Sequence, residues 1–244
     1  MDEPEGTHPI NPRNTIPARR TPLEDREKGG EHFTAPLGSS RNGRLRFTSG
    51  AHRVVIQADL HLRGLYRARF ENRTPMVGVR GGIVTIRYPR FPNDDWLDCR
   101  SERPAKVTLN AQIPWDIEVR GGVSRLLADL RGLRLGSLRL EGGTSRIEVM
   151  LPAPSDTVAV LILGGASNVA IRRPEGVAAR LRVEGGVTNL RFDDRRIGAA
   201  GSELDLKSRN YDRAADRYDV TIAGGANNLS LHELQEMTDS GAST

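Results

Sequence analysis

Four residues near the middle of the sequence have the side-chain types of a metal site. Asp94, Asp95 and Asp98 are followed by Cys99, and Trp96 stands among them. Carboxylates together with a thiolate can ligate a cation, but the same composition is typical of a polar loop between strands. We interpret the segment as such a loop, and the sequence predicts neither a bound metal nor any other cofactor.

Two pairs of acidic residues, Asp193 with Asp194 and Glu203 with Asp205, can be compared with the paired carboxylates of glycosidases. Many enzymes that act on polysaccharides are β-helices, so a carbohydrate-active β-helix enzyme is one alternative. The spacing does not place two carboxylates across one cleft, and aromatic residues make up only 5% of the chain. No histidine stands at an informative distance from a nucleophile. We therefore predict that the protein is not an enzyme.

Gly-Gly pairs recur along the chain and invite comparison with phosphate-binding loops. Such loops need a following helix whose N-terminus holds the anion, whereas strand-like segments follow here and no Gly-Lys-Ser/Thr occurs. The pairs between residues 121 and 185 are 21, 22 and 21 residues apart, and the two outer spacings are 40 and 39. A period of this length is typical of a solenoid, with the glycines at its corners and one pair lost in each outer gap. The pairs are Gly81-Gly82, Gly121-Gly122, Gly142-Gly143, Gly164-Gly165, Gly185-Gly186 and Gly224-Gly225.

Apolar and polar residues alternate on both sides of each pair. Around Gly142, for example, Leu138 and Leu140 precede the pair, and Ile147 and Val149 follow it. Alternation with a period of two is the pattern of a strand with one buried face. Each unit is therefore predicted to be a strand, a glycine corner and a second strand.

These units predict an all-β fold, a right-handed parallel β-helix (β-solenoid) of about eight rungs with repeats of roughly 20 residues. Four apolar residues share one offset from their glycine pairs and should form one internal stack. They are Leu126, Ile147, Val169 and Leu190.

Small polar residues recur two positions after five of the pairs. Their side chains can bond the backbone of the corner, or one another along the stack. Because a tight corner needs positive φ angles, we also expect Gly143→Val or Gly165→Val to cost a few kcal/mol. The polar residues are Ser124, Ser145, Ser167, Thr188 and Asn227.

The composition divides the chain into three parts. Residues 1–44 are rich in proline and are predicted to be disordered, residues 45–234 form the β-solenoid domain, and residues 235–244 are a flexible tail. The segment Ala51–Phe70 suits either a strand or a helical face, and in both cases it would cap the first rung.

The expected compartment is the cytoplasm. The single cysteine excludes an internal disulfide, the first residues have no apolar signal segment, and the longest apolar run is Val158–Leu163. That run is far shorter than the roughly 20 residues that a membrane-spanning helix needs.

Positive charge is concentrated in residues 41–90, which contain 11 arginines and only two acidic residues, Asp59 and Glu71, for a net charge of +9. The segments before and after it each have a net charge of −2. This block is either a solvated surface or a site for an anionic partner, and a nucleic acid is the less favoured partner because stacking aromatic residues are sparse. The candidate partner-binding residues are Arg53, Arg63, Arg67, Arg69, Arg73, Arg80, Arg87 and Arg90.

The C-terminal part resembles the C-terminal domain of the LiaF-like cell-wall-active antibiotic response proteins and the related DUF4097 adhesin-like repeats. The resemblance lies in Gly201–Ala214, with its Tyr-Asp-x-Ala loop, then in Asp216–Ile222, the pair Gly224-Gly225 and the final strand Asn228–Leu231. It implies a β-solenoid and, for the LiaF-like members, a regulatory role in envelope stress. The relatives usually have N-terminal membrane helices, whereas this chain has a proline-rich segment there.

The functional prediction is an interaction scaffold or a regulator in the bacterial envelope or stress response. It would bind a protein partner, for which an anionic protein is one option, or associate with itself through the solenoid ends. A scaffold that polymerises end to end, as bactofilins do, is the second alternative. In both cases the basic N-terminal rungs, and hence one end of the rod, are predicted to make the contact.

Overall fold

The computed structural model describes residues 16–17, 19–20, 31–71, 74–89 and 104–234. Within them every regular element is a β-strand, apart from a 3-10 turn at Tyr211–Arg213. The strands are β1 Ile16–Pro17, β2 Arg19–Arg20, β3 Glu31–Pro36, β4 Gly43–Phe47, β5 Ala51–Asp59, β6 Gly64–Phe70, β7 Met76–Arg80, β8 Ile83–Arg87, β9 Ala105–Asn110, β10 Pro114–Val119, β11 Val123–Asp129, β12 Arg134–Glu141, β13 Thr144–Met150, β14 Thr157–Leu163, β15 Ala166–Arg173, β16 Ala178–Val183, β17 Val187–Phe192, β18 Arg195–Ala200, β19 Leu204–Lys207, β20 Arg217–Ala223 and β21 Ala226–Glu233.

The strands form two mixed sheets. Sheet A has the order β1-β7-β8-β4-β10-β12-β14-β20-β16-β19, and sheet B has the order β2-β3-β6-β9-β5-β11-β13-β15-β21-β17-β18. In the centre of both sheets neighbouring strands are parallel. The all-β, β-helix-like architecture predicted from the alternation is therefore present, with antiparallel strands added at both ends of each sheet.

The repeating unit is a layer, defined as one strand of sheet A, a corner and the following strand of sheet B. Six complete layers lie within the described residues, and β8 and β9 continue the parallel stack beyond the first of them. In stacking order the six are β4–β5, β10–β11, β12–β13, β14–β15, β20–β21 and β16–β17. Their inward side chains make one hydrophobic cluster between the sheets. The predicted internal stack is confirmed, because Leu126, Ile147 and Val169 are successive partners in sheet B.

The stacking order departs from the chain order at the C-terminal end. The last layer in the sequence, β20–β21, is inserted between β14–β15 and β16–β17, so that Leu229 separates Val169 from Leu190. The reason lies in the segment between these layers: β18 and β19 fold back antiparallel onto β17 and β16 and cover their outer edges. Only the inner edges of β16 and β17 remain, and β20 and β21 pair with them.

Two inferences about the corners are wrong. Gly81-Gly82 is not a corner but the two-residue turn of the antiparallel β7–β8 hairpin, in which both glycines have positive φ, 54° and 80°. The gap that follows Gly185-Gly186 contains the covering strands β18 and β19 in place of a lost corner. A corner at Ser49-Gly50, which joins β4 to β5, was missed because it has only one glycine.

In the corners at Gly142-Gly143 and Gly164-Gly165 the first glycine of the pair is the one that the fold requires. A Cβ on Gly142 (φ 97°) would lie 2.7 Å from the backbone nitrogen of Gly122, and one on Gly164 (φ 124°) would lie 2.9 Å from the carbonyl oxygen of Gly142. Adjacent corners touch through their backbones, so the chain has no room for a side chain. Gly143 and Gly165 have open space around them. The premise that these two glycines need positive φ is therefore wrong, and it holds for their neighbours Gly142 and Gly164.

Of the predicted polar side chains, Thr188 donates to Asn227 at 2.9 Å in the last layers. The asparagines one position further along form a ladder of their own, which we call the asparagine ladder. The amide of Asn228 donates to Asn168 at 2.7 Å, and the amide of Asn189 donates to Asn228 at 2.9 Å. These three residues and Arg146 have φ angles between 51° and 56°. Asparagine adopts this left-handed conformation more readily than most residues, which explains its recurrence at the position.

Antiparallel strands cover both ends of the parallel stack. At the N-terminal end β6 and β3 extend sheet B beyond β9, and β7 extends sheet A beyond β8. The segment Ala51–Phe70, expected as a cap, supplies β5 inside the stack and β6 outside it. At the other end the cap is β18 and β19, which pair antiparallel with β17 and β16.

Candidate binding surface

The predicted partner-binding arginines that the structure describes lie in three different places. Arg53, Arg67 and Arg69 lie on the outer face of sheet B, because their neighbours Val54, Ala68 and Phe70 point into the core. Arg80 and Arg87 belong to the β7–β8 hairpin of sheet A, and Arg63 lies in the turn between β5 and β6. Arg73 and Arg90 lie outside the described residues.

On the outer face of sheet A, acidic residues from later layers neutralise part of the basic block. Arg44 contacts Asp116 at 3.1 Å, and Arg46 contacts Glu118 at 2.7 Å. Burial raises the pKa of Glu118, but hydrogen bonds from Arg120 and Arg46 outweigh it, and the resulting pKa is lower than usual. The net charge of +9 in residues 41–90 therefore overstates the positive charge at that end of the fold.

On the outer face of sheet B, three arginines from successive layers lie side by side. Arg53 and Arg125 are register partners, and Arg146 precedes Ile147, the partner of Leu126. We call these three residues the arginine column. Arg125 and Arg146 are exposed, and within the described residues neither forms an ion pair. The asparagine ladder continues the same column through the next layers.

A second column runs beside the arginine column and is partly apolar. Val55 is paired with Leu127, which is 38% exposed, and Glu148 and Ala170 follow in the next two layers. The two columns line a shallow groove of about 490 Å³ across β5, β11, β13, β15 and β21, which we call the sheet B groove. It offers cationic groups on one side and aliphatic surface on the other.

The acidic residues of this face are already engaged. Glu148, which lies between Leu127 and Ala170 in the second column, forms an ion pair with Arg172 inside the groove, and Asp129 accepts hydrogen bonds from Arg131 at 2.7 and 2.9 Å. Towards the N-terminal end, Arg69 and Lys106 are partners on β6 and β9, and Arg69 also forms an ion pair with Glu71 at 3.1 Å. The face is therefore basic from β6 to β13.

Three of the four carboxylates compared with those of a glycosidase lie beside arginines. Asp193 accepts two hydrogen bonds from the buried Arg173, at 2.7 and 2.9 Å, and Asp205 accepts a hydrogen bond from Arg180 at 2.8 Å. Asp194 lies beside Arg209. The acidic segment around Cys99 falls outside the described residues, and within them no group of three potential ligands could hold a metal ion.

Sequence reasoning missed Arg125, Arg146 and Lys106 as members of the surface. A signal was available for two of them: Arg53 follows Gly50 by three residues, Arg125 follows Gly122 by three, and Arg146 follows Gly143 by three. Recognition of Ser49-Gly50 as a corner would have placed these arginines in one column.

The fold thus defines an all-β, β-helix-like protein built from two mixed sheets with a basic outer face. Residues 78–172 match the family model of the N-terminal domain of toast_rack, DUF2154. The match covers less than half of the chain and ends before the segment 201–231 that resembles the LiaF-like and adhesin-like repeats.

Among solved structures, the chain is similar to "a putative cell adhesion protein from Clostridium sporogenes ATCC 15579". The TM-score is 0.67 with 16% identity, over 84% of this chain and 99% of the other. At this identity the likeness concerns the fold. No curated protein matches the chain, and in the described residues no helix has the length and apolar character needed to cross a membrane.

Proposed function

We propose that this chain is a non-enzymatic interaction scaffold that binds an acidic protein partner through the outer face of sheet B. The observation that supports this most is the arginine column, in which Arg125 and Arg146 are exposed and form no ion pair within the described residues. Uncompensated charge of one sign on a stiff surface favours association with a partner of the opposite sign. The contact surface thus lies on the side of the stack, not at its end.

The proposal also includes a biological setting, the bacterial envelope response. The toast_rack match, the adhesion-protein description of the structural neighbour and the resemblance to LiaF-like proteins all favour a protein that acts by binding. We therefore propose a regulator or scaffold of the bacterial envelope response, acting from the cytoplasm, with a right-handed winding of the stack. End-to-end polymerisation is disfavoured because antiparallel strands cover both end layers of the parallel stack.

Affinity capture from the native host tests this function. The full chain serves as bait in three forms: wild type, the face variant Arg125→Glu with Arg146→Asn, and a control, Arg63→Glu with Arg80→Gln, that changes the charge equally elsewhere. We expect an acidic protein to be retained by the wild type and the control, to be lost from the face variant and to elute with salt. Retention of the same proteins by the face variant would contradict the proposal.

A further inference from the structure

We propose that the sheet B groove binds an amphipathic acidic α-helix of the partner protein, aligned with the stacking direction of the layers. This inference rests on the proposed function and specifies the partner's shape. Acidic side chains of the helix would lie against the arginine column, and an adjacent apolar stripe would contact Val55 and Leu127, ending where the Glu148–Arg172 ion pair begins.

The spacing of the arginines favours a helix. Neighbouring strands are about 4.8 Å apart, so the three arginines recur at that interval across β5, β11 and β13. A helix repeats one face about every 5.4 Å, whereas an extended peptide repeats one face about every 6.7 Å. Over two intervals, the repeat of the bound peptide departs from the spacing of the arginines by about 1 Å for a helix and by about 4 Å for an extended strand. Flexible arginine side chains can absorb only the smaller difference.

The length of the groove suits a helix of ordinary size. The groove crosses five strands, and their four intervals span about 19 Å. About 13 residues of helix cover that distance. Over the asparagine ladder the amides bond mainly to one another, so the helix needs acidic residues only on the half that faces the arginines.

The aliphatic column distinguishes a protein helix from a nucleic acid. Non-specific binding of single strands relies on aromatic side chains that stack on bases, and the groove lining contains Val55, Leu127 and Ala170 with no aromatic residue. Aliphatic surface next to cations instead matches a helix with leucines beside its glutamates, as in other helix-in-groove complexes.

The probe is a synthetic peptide of about 20 residues with glutamate at every third or fourth position and a leucine stripe beside it. A scrambled peptide of equal composition lacks the stripes, and poly-glutamate is an acidic chain without them. Binding to the full chain is measured by fluorescence anisotropy at low and moderate salt, and peptide helicity by circular dichroism. The protein forms are the wild type, the face variant, the charge-matched control and Leu127→Ser. Asparagine is chosen at Arg146 because three equivalent positions already hold it in the same backbone conformation.

We expect the wild type and the control to bind the helical peptide, with affinity reduced about tenfold or more in the face variant and reduced further by salt. Leu127→Ser should weaken binding with less salt sensitivity, and the peptide should gain helicity when bound. Equal affinity for the scrambled peptide or poly-glutamate, or no loss in a folded face variant, would overturn the inference. If the native partner depends on Arg125 and Arg146 but the helical peptide does not bind, the proposed function stands and the helix does not.

Discussion

Gly142→Ala should lower the free energy of unfolding by about 2–4 kcal/mol, while Gly143→Ala should change it by less than about 1 kcal/mol. Gly142 has a φ of 97°, and an added Cβ would come within 2.7 Å of backbone in the neighbouring corner. That backbone is fixed by its own hydrogen bonds, such as the one from the Gly122 nitrogen to the Glu141 oxygen at 2.9 Å. An added Cβ at Gly143 meets nothing within 4 Å.

Urea unfolding of the two single variants, followed by circular dichroism, measures the difference. Gly164→Ala and Gly165→Ala repeat the comparison one layer further along, where the first glycine again meets backbone at 2.9 Å and the second has open space. Equal destabilisation within both pairs would mean that the corners do not pack as described.

Arg173→Ala is the second substitution with a large expected effect, a loss of about 3–5 kcal/mol. The Arg173 side chain is 1% exposed, binds Asp193 through two hydrogen bonds and contacts Glu233 at 3.3 Å. It also donates to the carbonyl of Val177 at 2.6 Å. These contacts connect the ends of β15, β17 and β21, so the substitution leaves a cavity, an unpartnered carbonyl and two carboxylates without their cation.

Arg172→Ala is the matched control, because the neighbouring arginine forms an ion pair with Glu148 on the surface and is 32% exposed. Surface pairs of this kind contribute about 0–1 kcal/mol. Thermal and urea unfolding of both variants should therefore separate them clearly. The role assigned to Arg173 is wrong if its variant is no less stable than the control.

The sequence was sufficient to predict which face of each strand is buried and where the central corners lie. Alternation identified the inward residues, such as Leu126 and Ile147, and the glycine period identified the corners of the central layers. Both signals are local, and the structure confirms them because burial of one face leaves little freedom in register.

The sequence was not sufficient to predict where each layer lies. Layers with the same offsets are interchangeable, so nothing in the pattern indicated that Leu229 stacks between Val169 and Leu190. The same limitation affected Gly81-Gly82, since two glycines suit a hairpin turn as well as a corner.

Only part of the candidate surface could be predicted from the sequence, because residues that are distant in sequence neutralise or extend its charge. A count over residues 41–90 includes Arg44 and Arg46, whose carboxylate partners lie 72 positions further along the chain. The count also leaves out Arg125 and Arg146, which follow the block in sequence and extend its surface in space. Charge becomes a surface property only after strand pairing is known.

The central claim about the fold is that β21 lies between β15 and β17, and the asparagine end of the sheet B groove depends on it. Disulfide crosslinking tests it in a chain whose single cysteine, Cys99, is replaced by serine. Ser167 and Asn227 are register partners, as are Asn227 and Thr188, so Ser167 and Thr188 are two strands apart. Neighbouring strands are about 4.8 Å apart, within the range for a disulfide, and next-nearest strands are about 9.6 Å apart, beyond it. We predict that Ser167→Cys with Asn227→Cys forms the crosslink under mild oxidation and that Ser167→Cys with Thr188→Cys does not. The reverse result would show that the layers follow the chain order and would contradict this account.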